Sequence, residues 1–244
     1  MAKYVYGIVE GSADPPTGAG IAGAPLELIA NDGTAALVSD VAGDEIQLGR
    51  VELLDHSRVL EEALSRGTVL PMRFGVVMEG PDEVRARLLE GHGEDLRRQL
   101  ESLAGKIELS LRATYEEGAL MREVLLENAS IAELSEAIKH RPDDATYYDR
   151  IRLGEMVAEA IERKRETDAR EIVDALAPLA LDIEIGELAH ERVVLSVSFL
   201  VERSRLSEFD EAVERLGHDR AGRIRIKYIG PLPPHSFVEL DGGV

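Results

Sequence analysis

The sequence predicts an α+β protein of two domains, in which the second is a ferredoxin-like split βαβ unit with additional helices and an extended proline-rich C-terminal tail follows. Three observations lead to this prediction. The chain has 244 residues, which is long for one hydrophobic core. Strand-type and helix-type hydrophobic periodicities are interspersed along it. Its last 140 or so residues give the order β, helices, β, β, α, β, typical of split βαβ folds. We therefore predict domains at residues 1–105 and 106–229 and a tail at residues 230–244.

The first predicted domain begins with strands. Residues 3–9 alternate and are rich in Tyr, Val and Ile, which favours a strand. Residues 26–30 and 34–41 are also strand-like and flank Asn31-Asp32-Gly33, where the Asp-Gly pair favours a tight turn. The sequence therefore predicts a hairpin at this point.

Helical patterns complete the first domain. Apolar residues at helical spacing predict a helix over residues 53–64, and a short strand follows at residues 69–74. Pro81 is a favourable first residue for a second helix. Gly91 and Gly93 favour a break within that helix, because glycine is a poor helix former.

The second predicted domain begins with a half-buried strand, since residues 106–113 alternate between polar and apolar. A helical stretch over residues 115–140 contains Ser130 and Glu133, a capping-box pair that predicts two helices instead of one. Pro142 begins a long helix. The remaining predicted elements are a strand at 181–185, a strand at 193–201, a helix at 206–216 and a strand at 224–228.

The proline-rich tail is predicted to leave the sheet, because prolines lack the amide donors that a strand ladder needs. We expect it to run extended and to dock on the protein's own body, since Leu232 and Phe237 would otherwise expose apolar surface. The predicted docking residues are Pro231, Leu232, Pro233, Pro234 and Phe237.

Composition excludes several classes of function. The formal net charge of −19 would repel a phosphate backbone, so nucleic acid is not an expected partner. The chain has no cysteine, which excludes disulfides, thiolate nucleophiles and Cys-based metal centres. The amino terminus leads directly into a strand and has no signal-peptide pattern. This predicts a cytoplasmic protein that has no membrane as a partner.

The motif search predicts no catalytic, cofactor-binding or metal-ligating residue. Residues 18–23 match G-x-G-x-x-G, but a strand follows them where a dinucleotide site needs a helix. The six histidines include no pair at the i, i+4 spacing of helical metal ligands, and we expect most of them to be solvated. We therefore expect this protein to have no enzymatic activity and to bind no cofactor.

Besides the cleft between the two predicted domains, two surfaces are candidates for binding a partner. One is the flank of the long helix that carries Tyr147, Tyr148 and Ile151. The other is a basic stripe on the last strand, formed by Arg223, Arg225 and Lys227. The stripe has an intramolecular alternative, in which it faces Glu108 or acidic residues of the other domain.

The highly charged part of the long helix, residues 161–172, has no apolar face in the sequence. It is predicted either to project into solvent as an ion-paired spacer or to offer a charged surface to a partner.

Three segments together resemble the gas vesicle protein F/L family: residues 4–9 (YVYGIV), 69–75 (VLPMRFG) and 227–237 (KYIGPLPPHSF). His235 stands where such proteins commonly have Tyr. The resemblance implies a non-catalytic gas vesicle accessory or assembly protein, associated with gas vesicles, whose partners are the small amphipathic shell protein and other accessory proteins. The alternative is a small-molecule-binding regulatory protein, because ferredoxin-like units often have that role.

Overall fold

The computed structural model describes residues 1–41, 49–188 and 190–239, and it is a mixed α/β structure. Its contacts divide the chain into two compact units. The first comprises Met1–Leu109, Leu200–Ser204 and the segment from Gly230 onward, and the second comprises Ser110–Phe199 and Arg205–Ile229. The division into domains at residues 1–105, 106–229 and 230–244 stays a prediction, because compactness does not show which segments fold independently.

The first sheet has the strand order β2-β3-β1-β4, and β5 also pairs with β1. Every pair in it is antiparallel. Its strands are β1 (Ala2–Glu10), β2 (Leu26–Asn31), β3 (Thr34–Val41), β4 (Val69–Pro71) and β5 (Val77–Met78). The β2–β3 hairpin is confirmed, and Gly33 adopts a φ of 84° in its turn, a conformation that glycine reaches without steric cost.

The helices of the first unit are α1 (Arg50–Arg66), α2 (Pro81–Glu83), which continues as a π-helical turn over Val84–Glu90, and α3 (Gly93–Ser102). The predicted break between Gly91 and Gly93 is confirmed. Leu88, Leu89 and Leu96 from these helices are fully buried against Val5 and Ile8 of β1 in one apolar cluster. This cluster is one part of the hydrophobic core of the first unit, and other buried residues such as Leu37 and Leu60 lie outside it.

The second sheet has the strand order β7-β8-β6-β9. Its strands are β6 (Lys106–Tyr115), β7 (Asp182–Ile185), β8 (Val193–Glu202) and β9 (Ile224–Leu232). The associated helices are α4 (Ala119–Glu127), α5 (Ala129–Ile138), α6 (Asp143–Leu176) and α7 (Leu206–Asp219). The chain order predicted for this part of the sequence is confirmed.

The boundary between α4 and α5 does not lie at the predicted capping box of Ser130 and Glu133. It lies at Asn128, whose backbone leaves the helical region at φ −124° and ψ 88°. The Asn128 side-chain amide donates to the Val124 carbonyl at 2.8 Å. Asn128 therefore satisfies a C-terminal carbonyl of α4, and the break comes two residues early.

The prediction that the proline-rich segment leaves the sheet at Gly230 is wrong, because β9 continues through Pro231 to Leu232. β9 is an edge strand, where a proline can direct its missing N–H away from the ladder. A short 3₁₀ turn at His235–Phe237 follows.

The charged segment at residues 161–172 does not stand free in solvent. Lys164 forms ion pairs of 2.8 Å with Glu123 and Glu127 of α4. Asp168 is buried. Immediately before this segment, Ala160 packs with Val124 and other apolar residues of α4 and α5. The helix packs through this region because neighbouring elements supply opposite charges.

Candidate interaction surfaces

The amino-terminal part of α6 carries an exposed aromatic and aliphatic patch, which we call the tyrosine patch: Tyr147, Tyr148 and Ile151. Their exposed fractions are 60%, 82% and 45%. The two tyrosine rings meet edge to face, with centroids 5.3 Å apart. Because residues three and four apart share one side of a helix, Ile151 lies beside both rings. The patch leaves large apolar groups in contact with water.

The predicted basic stripe consists of three residues with different surroundings. Arg223 donates to Glu123 at 2.6 Å and to Asp168 at 2.7 Å. Arg225 makes a two-pronged ion pair with Glu116, at 3.0 and 2.8 Å.

Lys227, the third residue of the stripe, is exposed. Glu108, one of the intramolecular partners predicted for the stripe, accepts hydrogen bonds from Ser236. Of the three residues, Lys227 therefore presents its charge most openly to a partner.

Asp168 is the centre of a buried ionic network within the second unit. Its carboxylate accepts from the Tyr115 hydroxyl at 2.5 Å and from Arg223 at 2.7 Å, and Arg220 lies 3.6 Å away. Burial and the hydrogen bond to Asp168 raise the pKa of Tyr115. Partial burial alone would lower the pKa of Arg223, but its bonds to Glu123 and Asp168 raise it above the usual value.

The network lines a polar, open groove of about 710 Å³. Four acidic and four basic side chains line it and bond mainly to one another, so the groove carries no surplus of one charge. The network therefore functions as a structural joint between α4, α6 and the start of β9.

A buried histidine in the first unit was not predicted by the sequence analysis, which assigned most histidines to solvent. His56 is 3% exposed, and its Nδ1 lies 3.0 Å from the Tyr4 hydroxyl. Its ring stacks on Tyr6, with centroids 5.7 Å apart. Burial, and after it the charge of His235, lowers the pKa of His56 to about 4. Helical spacing could have predicted this burial, because His56 precedes the buried Val59 by three residues on α1.

The segment after β9 contacts the first unit through polar and apolar groups. The Ser236 amide and hydroxyl donate to the two oxygens of Glu108, at 2.8 and 2.9 Å. Gln99 exchanges a pair of hydrogen bonds with the backbone of Glu239. Phe237 packs against the apolar core cluster, and Pro233 is buried.

Within residues 1–41, 49–188 and 190–239, no cluster of three His, Asp or Glu side chains has the geometry to hold a metal ion. In the same residues, no helix combines the length and the apolar character needed to cross a membrane.

Fold and surfaces define a mixed α/β protein that carries an exposed apolar patch on a long helix. The chain belongs to the family described as gas vesicle synthesis protein GvpL/GvpF, whose model matches residues 2–239. It is similar to gas vesicle protein F of Streptomyces sp. (strain CB03234), with 35% identity over 98% of this chain and 100% of the relative. Gas vesicle protein F of Nostoc sp. is 25% identical over 98% of both chains.

Two crystal structures show the same fold. The gas vesicle protein GvpF from Anabaena sp. PCC7120 aligns with a TM-score of 0.87 and 24% identity, over 99% of both chains. GvpF from Microcystis aeruginosa aligns with a TM-score of 0.83 and 22% identity, over 98% of this chain and 99% of its own. The resemblance found in the sequence is confirmed, and membership assigns the chain a role in gas vesicle assembly, in a family that is not a known class of enzymes.

Proposed function

We propose that this protein binds a small amphipathic gas vesicle shell subunit directly and without catalysis, in the cytoplasm, while the vesicle is assembled. The tyrosine patch of Tyr147, Tyr148 and Ile151 is the observation that carries the proposal. A subunit that will form a protein wall must expose apolar surface before it is incorporated. A complementary apolar surface would cover it and limit aggregation.

The chemistry of the patch suits this task. Tyrosine buries a large apolar ring and loses little side-chain entropy on binding, so it is common at the centres of protein interfaces. Ile151 adds aliphatic surface on the same side of α6. The formal net charge of −19 keeps the complex dispersed and disfavours acidic competitors.

The basic stripe supports docking less well than the tyrosine patch. Arg223 and Arg225 already bond carboxylates within the second unit, so a partner would have to replace Glu123, Asp168 or Glu116. We therefore assign the main contact to the patch and leave the stripe a secondary role through Lys227. Other accessory proteins of the gas vesicle remain compatible partners of the stripe.

The architecture is proposed to be a modified ferredoxin-like unit at residues 106–229. The strand order β7-β8-β6-β9, with helices between β6 and β7 and between β8 and β9, supports this description. The alternative function, a small-molecule-binding regulator on such a unit, is not favoured by the family or by the charge-balanced groove.

The experiment is co-expression of the tagged protein with the shell subunit, followed by pull-down at several ionic strengths. Tyr148→Ala and Ile151→Ala should each reduce recovery of the shell subunit, and salt should matter little. Leu54→Ala is the matched control, because Leu54 is also exposed, at 61%, but lies on α1. Equal loss in the control would contradict the assignment to the patch.

Reversal of charge tests the stripe in the same assay. If the stripe carries docking, Arg225→Glu together with Lys227→Glu should weaken recovery and reduce its dependence on salt. If the patch carries it, the double reversal should leave recovery close to that of the unchanged protein. This double variant and the alanine variants of the patch each need a melting curve to show that they fold.

The tail is proposed to act as a strap that docks on the first unit through Pro231, Leu232, Pro233, Pro234 and Phe237. The contacts of Ser236 with Glu108 and the packing of Phe237 support this proposal. Truncation after Gly230 should lower the melting temperature. An unchanged melting temperature would rule out a stabilising strap.

A further inference from the structure

β7 is an edge strand of the second sheet, and its outer side is not covered by another strand in the described residues. The Gly186 amide donates to the Ser196 carbonyl of β8 at 2.8 Å, so Gly186 faces inward. Because backbone direction alternates along a strand, Asp182 and Glu184 also bond inward, and Ile183 and Ile185 direct their N–H and C=O groups outward. The Asp182 carboxylate accepts the Ile183 N–H at 2.9 Å, as expected for an amide without a strand partner.

The two faces of β7 differ in chemistry. Side chains alternate, so Ile183 and Ile185 lie on one face and Asp182 and Glu184 on the other. Ile185 is 59% exposed despite its apolar side chain. Among the described residues, no Lys or Arg lies within ion-pair distance of Asp182 or Glu184, whereas Glu116, Glu123 and Asp168 of the second unit are paired. β7 thus has one apolar face and one acidic face.

Edge strands are commonly protected by short length, charged side chains, proline or a covering segment. β7 has four residues, and both of its charged side chains, Asp182 and Glu184, are acidic, so they repel an acidic strand but not a basic one. Residues 181–188 (LDIEIGEL) contain neither lysine nor proline. The opposite edge, β9, has both Pro231 and the paired Arg225. A second copy of this chain is a poor occupant for β7, because antiparallel pairing of two β7 strands would bring carboxylates together on one face.

We propose that the β7 edge binds an extended, amphipathic strand of another protein, in which basic residues alternate with apolar ones. The incoming backbone would bond the outward N–H and C=O groups of Ile185 and the outward C=O of Ile183, whose N–H already donates to the Asp182 carboxylate. Its basic side chains would lie beside Asp182 and Glu184, and its apolar side chains beside Ile185. This is strand addition, with specificity set by the alternation of charge. It does not rest on shell-subunit binding at the tyrosine patch.

The test uses the full chain and a fluorescent, end-blocked peptide of alternating lysine and valine, measured by anisotropy at low salt. One comparison peptide alternates glutamate and valine, and another has the lysines and valines in separate blocks. The alternating lysine peptide should bind tightest, and added salt should weaken it. Absence of binding, or equal binding of the block peptide, would overturn the proposal.

Two variants test the geometry. Ile185→Pro removes an outward N–H while leaving the inward bonds of Glu184 and Gly186, and it should weaken binding about tenfold. Glu184→Lys should weaken binding to a similar extent and needs no change of backbone. Glu166→Lys, an exposed site on α6, is the charge-matched control and should retain binding.

Three results contradict the assignment to β7. The first is an equal loss of peptide binding in Glu166→Lys. The second is full peptide binding by Glu184→Lys with an unchanged melting curve. The third is that the unchanged protein sediments as a homodimer and Ile185→Pro sediments as a monomer. The last result would show that a second copy occupies this edge.

Discussion

His56 is predicted to make the stability of this protein depend on pH between neutrality and about 4. The ring is 3% exposed in an aromatic cluster with Tyr4 and Tyr6, where protonation would place a charge among buried rings. Burial, followed by the charge of His235, lowers the pKa of His56 to about 4 from an ordinary value of 6.5. The unfolded chain therefore binds a proton more readily than the folded chain does. Stability is fully present above pH 6.5 and is lost as the pH falls towards 4.

The size of the effect follows from the two pKa values. Between pH 7 and pH 5 the unfolded state gains most of its proton at this site and the folded state gains little. Linkage then gives a loss of roughly 2 kcal/mol in the free energy of unfolding from His56 alone. Such a loss is a substantial part of the total stability of an ordinary domain.

Urea denaturation at pH 7 and at pH 5 measures this loss. His56→Gln should reduce by about 2 kcal/mol the difference between the free energies of unfolding at pH 7 and pH 5, although it lowers stability at both. His218→Gln, at an exposed position on α7, is the control and should preserve the difference. If His56→Gln shows the same pH dependence as the unchanged protein, the account of His56 as a buried neutral group is refuted.

Three further predictions use urea denaturation at neutral pH. Phe237→Ala should cost about 2 kcal/mol, because the ring packs on the apolar core cluster; no loss would mean that this contact does not form in solution. Arg223→Met should cost about 3 kcal/mol by leaving the buried Asp168 short of a partner, and a neutral result would contradict the network. Gly7→Ala should cost about 1 to 3 kcal/mol, because its Cβ would lie 2.7 Å from the Leu70 carbonyl oxygen, and unimpaired stability would show that β4 can move aside.

Local chemistry predicted much of the fold. The Asn31-Asp32-Gly33 turn, the glycine break before α3 and the strand order in the sequence all depend on neighbouring residues, and the structure confirms them. The burial of Asp168 could not be predicted in the same way. Its partners Tyr115 and Arg223 are 53 and 55 residues away in sequence, so its helical neighbourhood alone indicated a solvated charge.

The limits of the tail and site predictions have a similar origin. Proline was expected to end β9, but an edge strand has one side that makes no ladder bonds, and edge position depends on the order of the whole sheet. The exposure of Tyr148 could be expected from the amphipathic pattern of α6. The partners of Arg225 could not, because Glu116 becomes its neighbour only when β6 and β9 lie side by side.

Sedimentation of the shell subunit tests the central proposal most directly. The shell subunit would be diluted from denaturant into buffer with increasing amounts of this protein, and the fraction left in the supernatant would be measured. We predict that the supernatant fraction rises to a plateau in a complex of defined composition, and that Tyr148→Ala requires more protein to reach it. A shell subunit that sediments to the same extent at every ratio, with this protein shown to be folded, would contradict direct binding.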